Sequence, residues 1–204
     1  IVLHLAVNSR EAKERTISLL KEVGIPSPEK AIDYYPHQLS GGMKQRAMIA
    51  MSLSCDPQVL IADEPTTAVD VTIKAQIIDI LLQLKETRQM SILFITHELG
   101  VVSEIGDNAV VMYAGRVAEV AAVSELLNSP KHPYTVGLIN CLPSVTQVGG
   151  RLESIPGTVP SLIDSPGGCL FHPRCSEVMA ICREQQPPPV IVDGEHKVFC
   201  HLYS

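Results

Sequence analysis

Apolar positions recur at helical spacing over much of the chain. Between Asn8 and Val23 the repeat is Ala12, Ile17, Leu20 and Val23, with Asn8 or Ser9 placed to cap the helix it predicts. Gly24 ends that helix, Pro26 and Pro28 follow, and a second short helix is expected from Pro28 to about Tyr34. Met43 to Leu53, rich in Ala, Met, Ile and Leu, reads as a third. A long helix is expected from Asp70–Thr72 through Thr87, with Ile73, Ile77, Ile80, Leu81 and Leu84 as its apolar stripe and Lys85, Glu86 and Arg88 toward water. Shorter helices are predicted at Val101 to Ile105, Val123 to Ser129 and Pro133 to Leu142.

Three other places carry short apolar runs instead. Val59 to Ala62, after the Asp56-Pro57 turn, suits a buried parallel strand. Ser91 to Ile95 suits a second. Ala109 to Tyr113 and Arg116 to Val120 flank Ala114-Gly115 and read as a hairpin. Strands alternating with helices imply an α/β fold with a mainly parallel sheet, the hairpin forming an antiparallel edge. From Pro143 to Pro189 the periodicity fades and Pro and Gly become frequent. A boundary is expected there, with one domain over 1–142 and a small loop-rich module over 143–204 that buries little core by itself.

Composition narrows the class. At 204 residues and 46% hydrophobic the chain has enough apolar material for a packed core in one or two domains. A formal charge of −6 shows no general nucleic-acid footprint. No apolar run approaches the roughly 18–20 residues of a membrane span, and no signal peptide is expected. The first residue is Ile1, which is read as the mark of a fragment of a longer chain. Cys55 and Cys141 stand alone in apolar helical contexts and are expected to be small buried hydrophobes. Cys169, Cys175, Cys182 and Cys200 cluster near the end, which favours a metal site over a disulfide framework.

The candidate chemistry sits between Leu39 and Asp70. Ser40 is a good N-cap, and Gly41 and Gly42 leave the first backbone N–H groups of a helix open to an anion, for which a phosphate is the natural guest. The apolar run at Val59 ends in Asp63 and Glu64, two acids at the carboxyl end of a strand, where open α/β sheets bind ligands. Two adjacent acids are usually a solvated turn; the strand before them and Pro65 after them point to function.

This stretch resembles the core of an ATP-binding cassette (ABC) ATPase. Leu39-Ser40-Gly41-Gly42-Met43 is similar to that family's signature loop and Val59 to Glu64 to its Walker B strand with the catalytic glutamate. Ala68-Val69-Asp70 resembles its D-loop, and His97, in Ile95-Thr96-His97-Glu98, its switch histidine. The resemblance implies a partial P-loop NTPase fold with a helical subdomain carrying the signature. It also implies roles. Asp63 would hold Mg²⁺, Glu64 would act as base or orient water, and His97 would sense the γ-phosphate. Ser40, Gly41 and Gly42 would touch nucleotide bound to a second ATPase subunit, and Asp70 would act across that dimer interface. Met43, Val69 and Glu98 are mild departures from the family pattern.

No G-x-x-x-x-G-K-S/T sequence occurs, so the 204 residues hold no phosphate cradle and negligible ATP hydrolysis is expected of them alone. Tyr35-Pro36-His37-Gln38, His132-Pro133-Tyr134-Thr135 and the region around Cys169 and Cys175 resemble the dipeptide and oligopeptide importer branch. That branch implies ATP and Mg²⁺ as ligands, integral-membrane permease subunits as partners, and a peripheral place on the cytoplasmic face of the plasma membrane. Members carry a 4Fe–4S cluster at such cysteines. The spacing C-x5-C-x6-C-x17-C lacks the close pairs of structural zinc sites, and the resemblance implies the cluster at Cys169, Cys175, Cys182 and Cys200, with zinc or free thiols as the alternatives. His172 and His201 are near enough in sequence to substitute in a zinc site and are expected to pack locally instead. The rival readings are a nickel importer ATPase, an ABC protein acting on ribosomes or DNA, and a non-catalytic interaction protein supplying only a signature face and a metal-bound tail.

Overall fold

Asn8 starts the first helix, α1 (Ser9–Glu22), through a complete capping box. Its carboxamide oxygen accepts from the Glu11 N–H at 3.0 Å, and the Glu11 carboxylate accepts from the Asn8 N–H at 3.1 Å. The computed structural model describes residues 1–67, 69–142 and 154–204, and these fall into two compact units, Ile1–His97 and Glu98–Ser204.

In the first unit α2 (Pro28–Ala31) is shorter than expected, and a 3₁₀ turn at Pro36–Gln38 leads to α3 (Gly41–Ser52). The residue before a proline disfavours helix, which keeps Tyr35 extended at φ −80°, ψ 154°. The strand β1 (Val59–Asp63) runs parallel to β2 (Ser91–Ile95), in register from Val59 opposite Ser91 to Asp63 opposite Ile95. Between them lies α4 (Val71–Arg88). Its expected stripe is the core: Ile77, Leu81 and Leu84 are fully buried against Leu20, Val23, Leu53 and Leu60.

Two expectations change here. Strand β1 is buried on one face only: Leu60 and Ala62 are covered, while Val59 and Ile61 are 57% and 65% exposed. The helices of the unit meet the strand through Leu60, which leaves the alternate positions to solvent. Arg88 does not simply face water. It bonds Glu22 at 2.6 Å and Asp56 at 3.0 Å, and Asp56 also meets Arg15. The guanidinium holds the Glu22 carboxyl below its usual range and links the end of α4 to the end of α1.

The second unit opens with α5 (Leu99–Ile105), followed by the hairpin β3 (Asn108–Tyr113) and β4 (Arg116–Ala122). Ala114 and Gly115 both take positive φ, 47° and 77°, the left-handed pair that a two-residue hairpin turn needs. Then come α6 (Val123–Asn128), α7 (Pro133–Asn140), α8 (Ile181–Glu184), β5 (Val190–Asp193) and β6 (His196–Val198). The sheet order is β3-β4-β6-β5, antiparallel throughout. Among the described residues parallel pairing is therefore confined to β1 and β2. Residues 143–153, where a domain boundary is expected, lie outside the described residues. The described part of the tail adds β5 and β6 to the sheet of β3 and β4, with Glu119 opposite Val198. Cys55 is exposed and Cys141 half-buried, so neither is the buried hydrophobe expected. Cys55 falls past the end of α3, in the turn closed by Asp56 N–H to Leu53 O at 3.1 Å.

Candidate functional site

The chain turns out of β1 at Glu64. Its N–H still donates to Ile95 O at 2.9 Å, which ties it to the end of β2. Its φ is +44°, in the left-handed region that costs a side chain-bearing residue about 1–2 kcal/mol. Three bonds from neighbours hold it there. The Thr67 N–H donates to Glu64 O at 3.1 Å, the Thr67 hydroxyl donates to Glu64 Oε2 at 2.8 Å, and His97 Nδ1 lies 3.1 Å from Oε1. From α3, Gln45 Nε2 donates to Pro65 O at 2.7 Å and pins the next residue.

The electrostatics follow from that geometry. The Thr67 hydroxyl first, and His97 second, hold the Glu64 carboxyl below its usual range. At neutral pH it is an acceptor only, so the hydrogen on the His97 contact belongs to Nδ1. The group is exposed, with Asp63 exposed beside it at the strand end. An ionised carboxylate with an aimed imidazole, open to solvent, can orient or deprotonate a water.

The signature residues are built by helix starts. Ser40 caps α3, its Oγ accepting from the Met43 N–H at 3.3 Å. Asp70 caps α4, its Oδ1 accepting from the Ile73 N–H at 3.0 Å. A Cβ on Gly42 would meet the Ile73 side chain at 3.1 Å, so this glycine lets α3 approach α4. Gly41 faces open space. Glu64 and His97 are thus brought together directly, and Gly42 and Asp70 meet through Ile73. Among the described residues no hydrogen bond joins Ser40 to Asp63 or Glu64. Ala68 lies outside the described residues. Sequence reasoning missed Thr67 and Gln45. Thr67 stands three residues after Glu64 in a proline turn, a readable hydroxyl-turn signal; Gln45 reaches across 20 positions and leaves none.

Two family descriptions match the chain: ABC transporter over residues 2–67, and oligopeptide/dipeptide transporter, C-terminal region, over residues 118–182. The dipeptide transport ATP-binding protein DppD of Haemophilus influenzae is 49% identical over 198 residues, 97% of this chain and 60% of that protein. Its Escherichia coli counterpart is 47% identical, over 98% of this chain and 62% of that protein. The chain belongs to the ABC transporter family of ATP-binding proteins. It spans about 60% of the length of the curated relatives it matches. The ABC cassette MJ0796, solved as a dimer in a post-hydrolysis state bound to ADP and Pi, is 27% identical with a TM-score of 0.50, over 57% of this chain and 49% of that one. The ABC cassette MJ1267 in its ADP conformation shares the fold at 23% identity and a TM-score of 0.54, over 64% and 51%.

The second unit of this ABC chain carries the cysteines. All six are thiols, and Cys169, Cys175, Cys182 and Cys200 line one small enclosed cavity. Burial pushes Cys169 and Cys175 up, and Cys200 up to about 11, and each of the three also feels Cys182. Four thiols lining one cavity are soft donors of the kind a metal centre takes. Among the described residues no group of three or more His, Cys, Asp or Glu is arranged to hold a single metal ion. Two of the three histidines of the lining, His172 and His201, are used locally, as expected. His172 Nδ1 donates to Cys169 O at 2.9 Å and His201 Nε2 to Gln185 O at 3.0 Å.

Proposed function

We propose that this chain is the catalytic and signature-bearing part of the ATP-hydrolysing subunit of a peptide ABC importer. The observation that carries the reading is Glu64: ionised, held in a strained backbone conformation at the end of β1, and bonded by Thr67 and His97. Two of the relatives are named dipeptide transport ATP-binding proteins, and a protein of Brucella ovis named as a putative peptide import ATP-binding protein is 48% identical over 97% of this chain. That agreement favours peptide over nickel as cargo, and an ATPase over a non-catalytic interaction protein.

In this reading Glu64 takes a proton from, or orients, the attacking water, with Thr67 and His97 fixing its carboxylate. His97 contacts the γ-phosphate through the ring edge that Glu64 does not use. Asp63 holds Mg²⁺, which when bound neutralises charge on the transferring phosphoryl group. The first turn of α3, opened by Ser40, Gly41 and Gly42, presents N–H groups to ATP on a second ATPase subunit, and Asp70 faces that interface. Membrane permease subunits are the further partners; no described helix is long and apolar enough to cross a membrane. The four converging cysteines hold a 4Fe–4S cluster as a structural staple, with zinc as the alternative.

The test is a chimera that supplies a P-loop segment ahead of Ile1, where the family places it. It is expected to hydrolyse ATP, and Glu64→Gln to lower kcat by roughly 10²–10⁴-fold without loss of ATP binding. A chimera that binds ATP and turns it over equally well with Glu64→Gln overturns the reading. Anaerobic purification followed by iron and acid-labile sulfide analysis tests the cluster separately.

A further inference from the structure

Glu119 is a fully buried carboxylate for which ATP hydrolysis has no use. It lies on β4, and its side-chain bonds go to two segments of the second unit. On one side the backbone N–H groups of Lys131 and His132 donate to its Oε1 and Oε2 at 2.7 and 2.9 Å. On the other, Nε2 of His196, on β6, meets Oε1 at 2.6 Å. His196 is itself 2% exposed, and its Nδ1 lies 4.0 Å from Glu125 on α6. The pairing of Glu119 with Val198 puts His196 on the same face of the sheet, at the diagonal position.

Both segments run on into the lining of the cysteine cavity, beside the stretch that carries Cys169, Cys175 and Cys182. His132 and Pro133 line it on the first, Cys200 and His201 on the second. Only Lys197 separates His196 from the start of the Val198–Cys200 stretch, where Phe199 N–H donates to Ala118 O at 2.9 Å. Cys182 reaches the cavity by another route, with its carbonyl accepting from Cys169 N–H at 2.8 Å, and does not touch the acid. An acid with three donors and no solvent is expensive to leave half-satisfied, so it fixes both segments at once.

We propose that Glu119, through His196, is the positioning residue of the four-cysteine site: it clamps the Cys200 side of the cavity to the His132 side. The idea rests on the reading of those cysteines as one site, and its test is separable from that reading.

The 204-residue chain, stripped with chelator and reductant, is treated with iodoacetamide, and alkylation of Cys200 and Cys182 is followed by peptide mass spectrometry. Glu119→Gln keeps the shape of the side chain but turns an N–H toward donors. It is expected to speed alkylation of Cys200 by about tenfold while Cys182 stays within about twofold of the parent chain. An unchanged Cys200 rate, or an equal rise at both cysteines, overturns the proposal, the second because it marks general loosening of the fold. Should Glu119→Gln fail to fold, His196→Gln carries the same comparison with the same two readings. Iron and zinc content are measured on unstripped protein. If no variant holds metal, the cluster reading falls, and the alkylation ratio still decides the clamp.

Discussion

His132 provides a pH test whose size follows from the structure. The ring is 3% exposed and caps α7, its Nδ1 accepting from the Tyr134 N–H at 3.0 Å. Burial holds its pKa down to about 4 from 6.5, against a pull upward from the Glu119 carboxylate. The folded state therefore keeps the ring neutral while the unfolded chain protonates it below about pH 6.5. Stability from this group is complete above that pH and is lost as pH falls toward 4. The 2.5-unit gap corresponds to a full loss of roughly 3 kcal/mol, about 2 kcal/mol of it already gone at pH 5. The comparison is His132→Asn, which retains an N-cap acceptor and does not titrate. Urea unfolding of both chains at pH 7 and pH 5, followed by near-UV signal from the tyrosines around Phe171, gives the difference directly. The gap between the two chains is expected to shift by about 2 kcal/mol in favour of the variant on going to pH 5. Parallel behaviour, with a gap constant to within about 0.5 kcal/mol, would refute the claim that the buried ring is held neutral.

Other outcomes follow from the first unit. Thr67→Ala removes the larger of the two bonds on the Glu64 carboxylate, so its pKa rises toward 4.5, read by NMR titration of the labelled side chain. Asp70→Ala removes the cap of an 18-residue helix and lowers stability by about 1 kcal/mol in chemical denaturation. Leu81→Ala, at a site 1% exposed in the middle of the helical core, costs about 2–5 kcal/mol in the same assay. Gly42→Ala pushes against Ile73 and destabilises, and Ile73→Val in the same chain recovers part of the loss, a non-additivity visible in a double-mutant cycle.

The helices of the first unit were legible because their signals are local. The Asn8 capping box, the Ile77–Leu81–Leu84 stripe and the Ser40 and Asp70 caps each span only a few positions, and each element formed within a few residues of its expected bounds. The hairpin at Ala114-Gly115 was legible for the same reason. The two acids, the signature glycines and His97 were readable as a constellation because their order and spacing are written along the chain. What the sequence could not show is anything that depends on approach across long separations. The Glu64 backbone conformation needs Thr67 and the end of β2 together. Gly42 is small because Ile73, 31 positions later, packs against it. Cysteines with 5, 6 and 17 residues between them gave no geometry, and only the fold of the second unit lines one cavity with all four. Glu119 reads in sequence as one charged position among the apolar residues of a hairpin strand. Burial and partners 12 to 77 residues away make it the tie between two segments, because a carboxylate with no access to water must find its donors wherever the tertiary structure brings them.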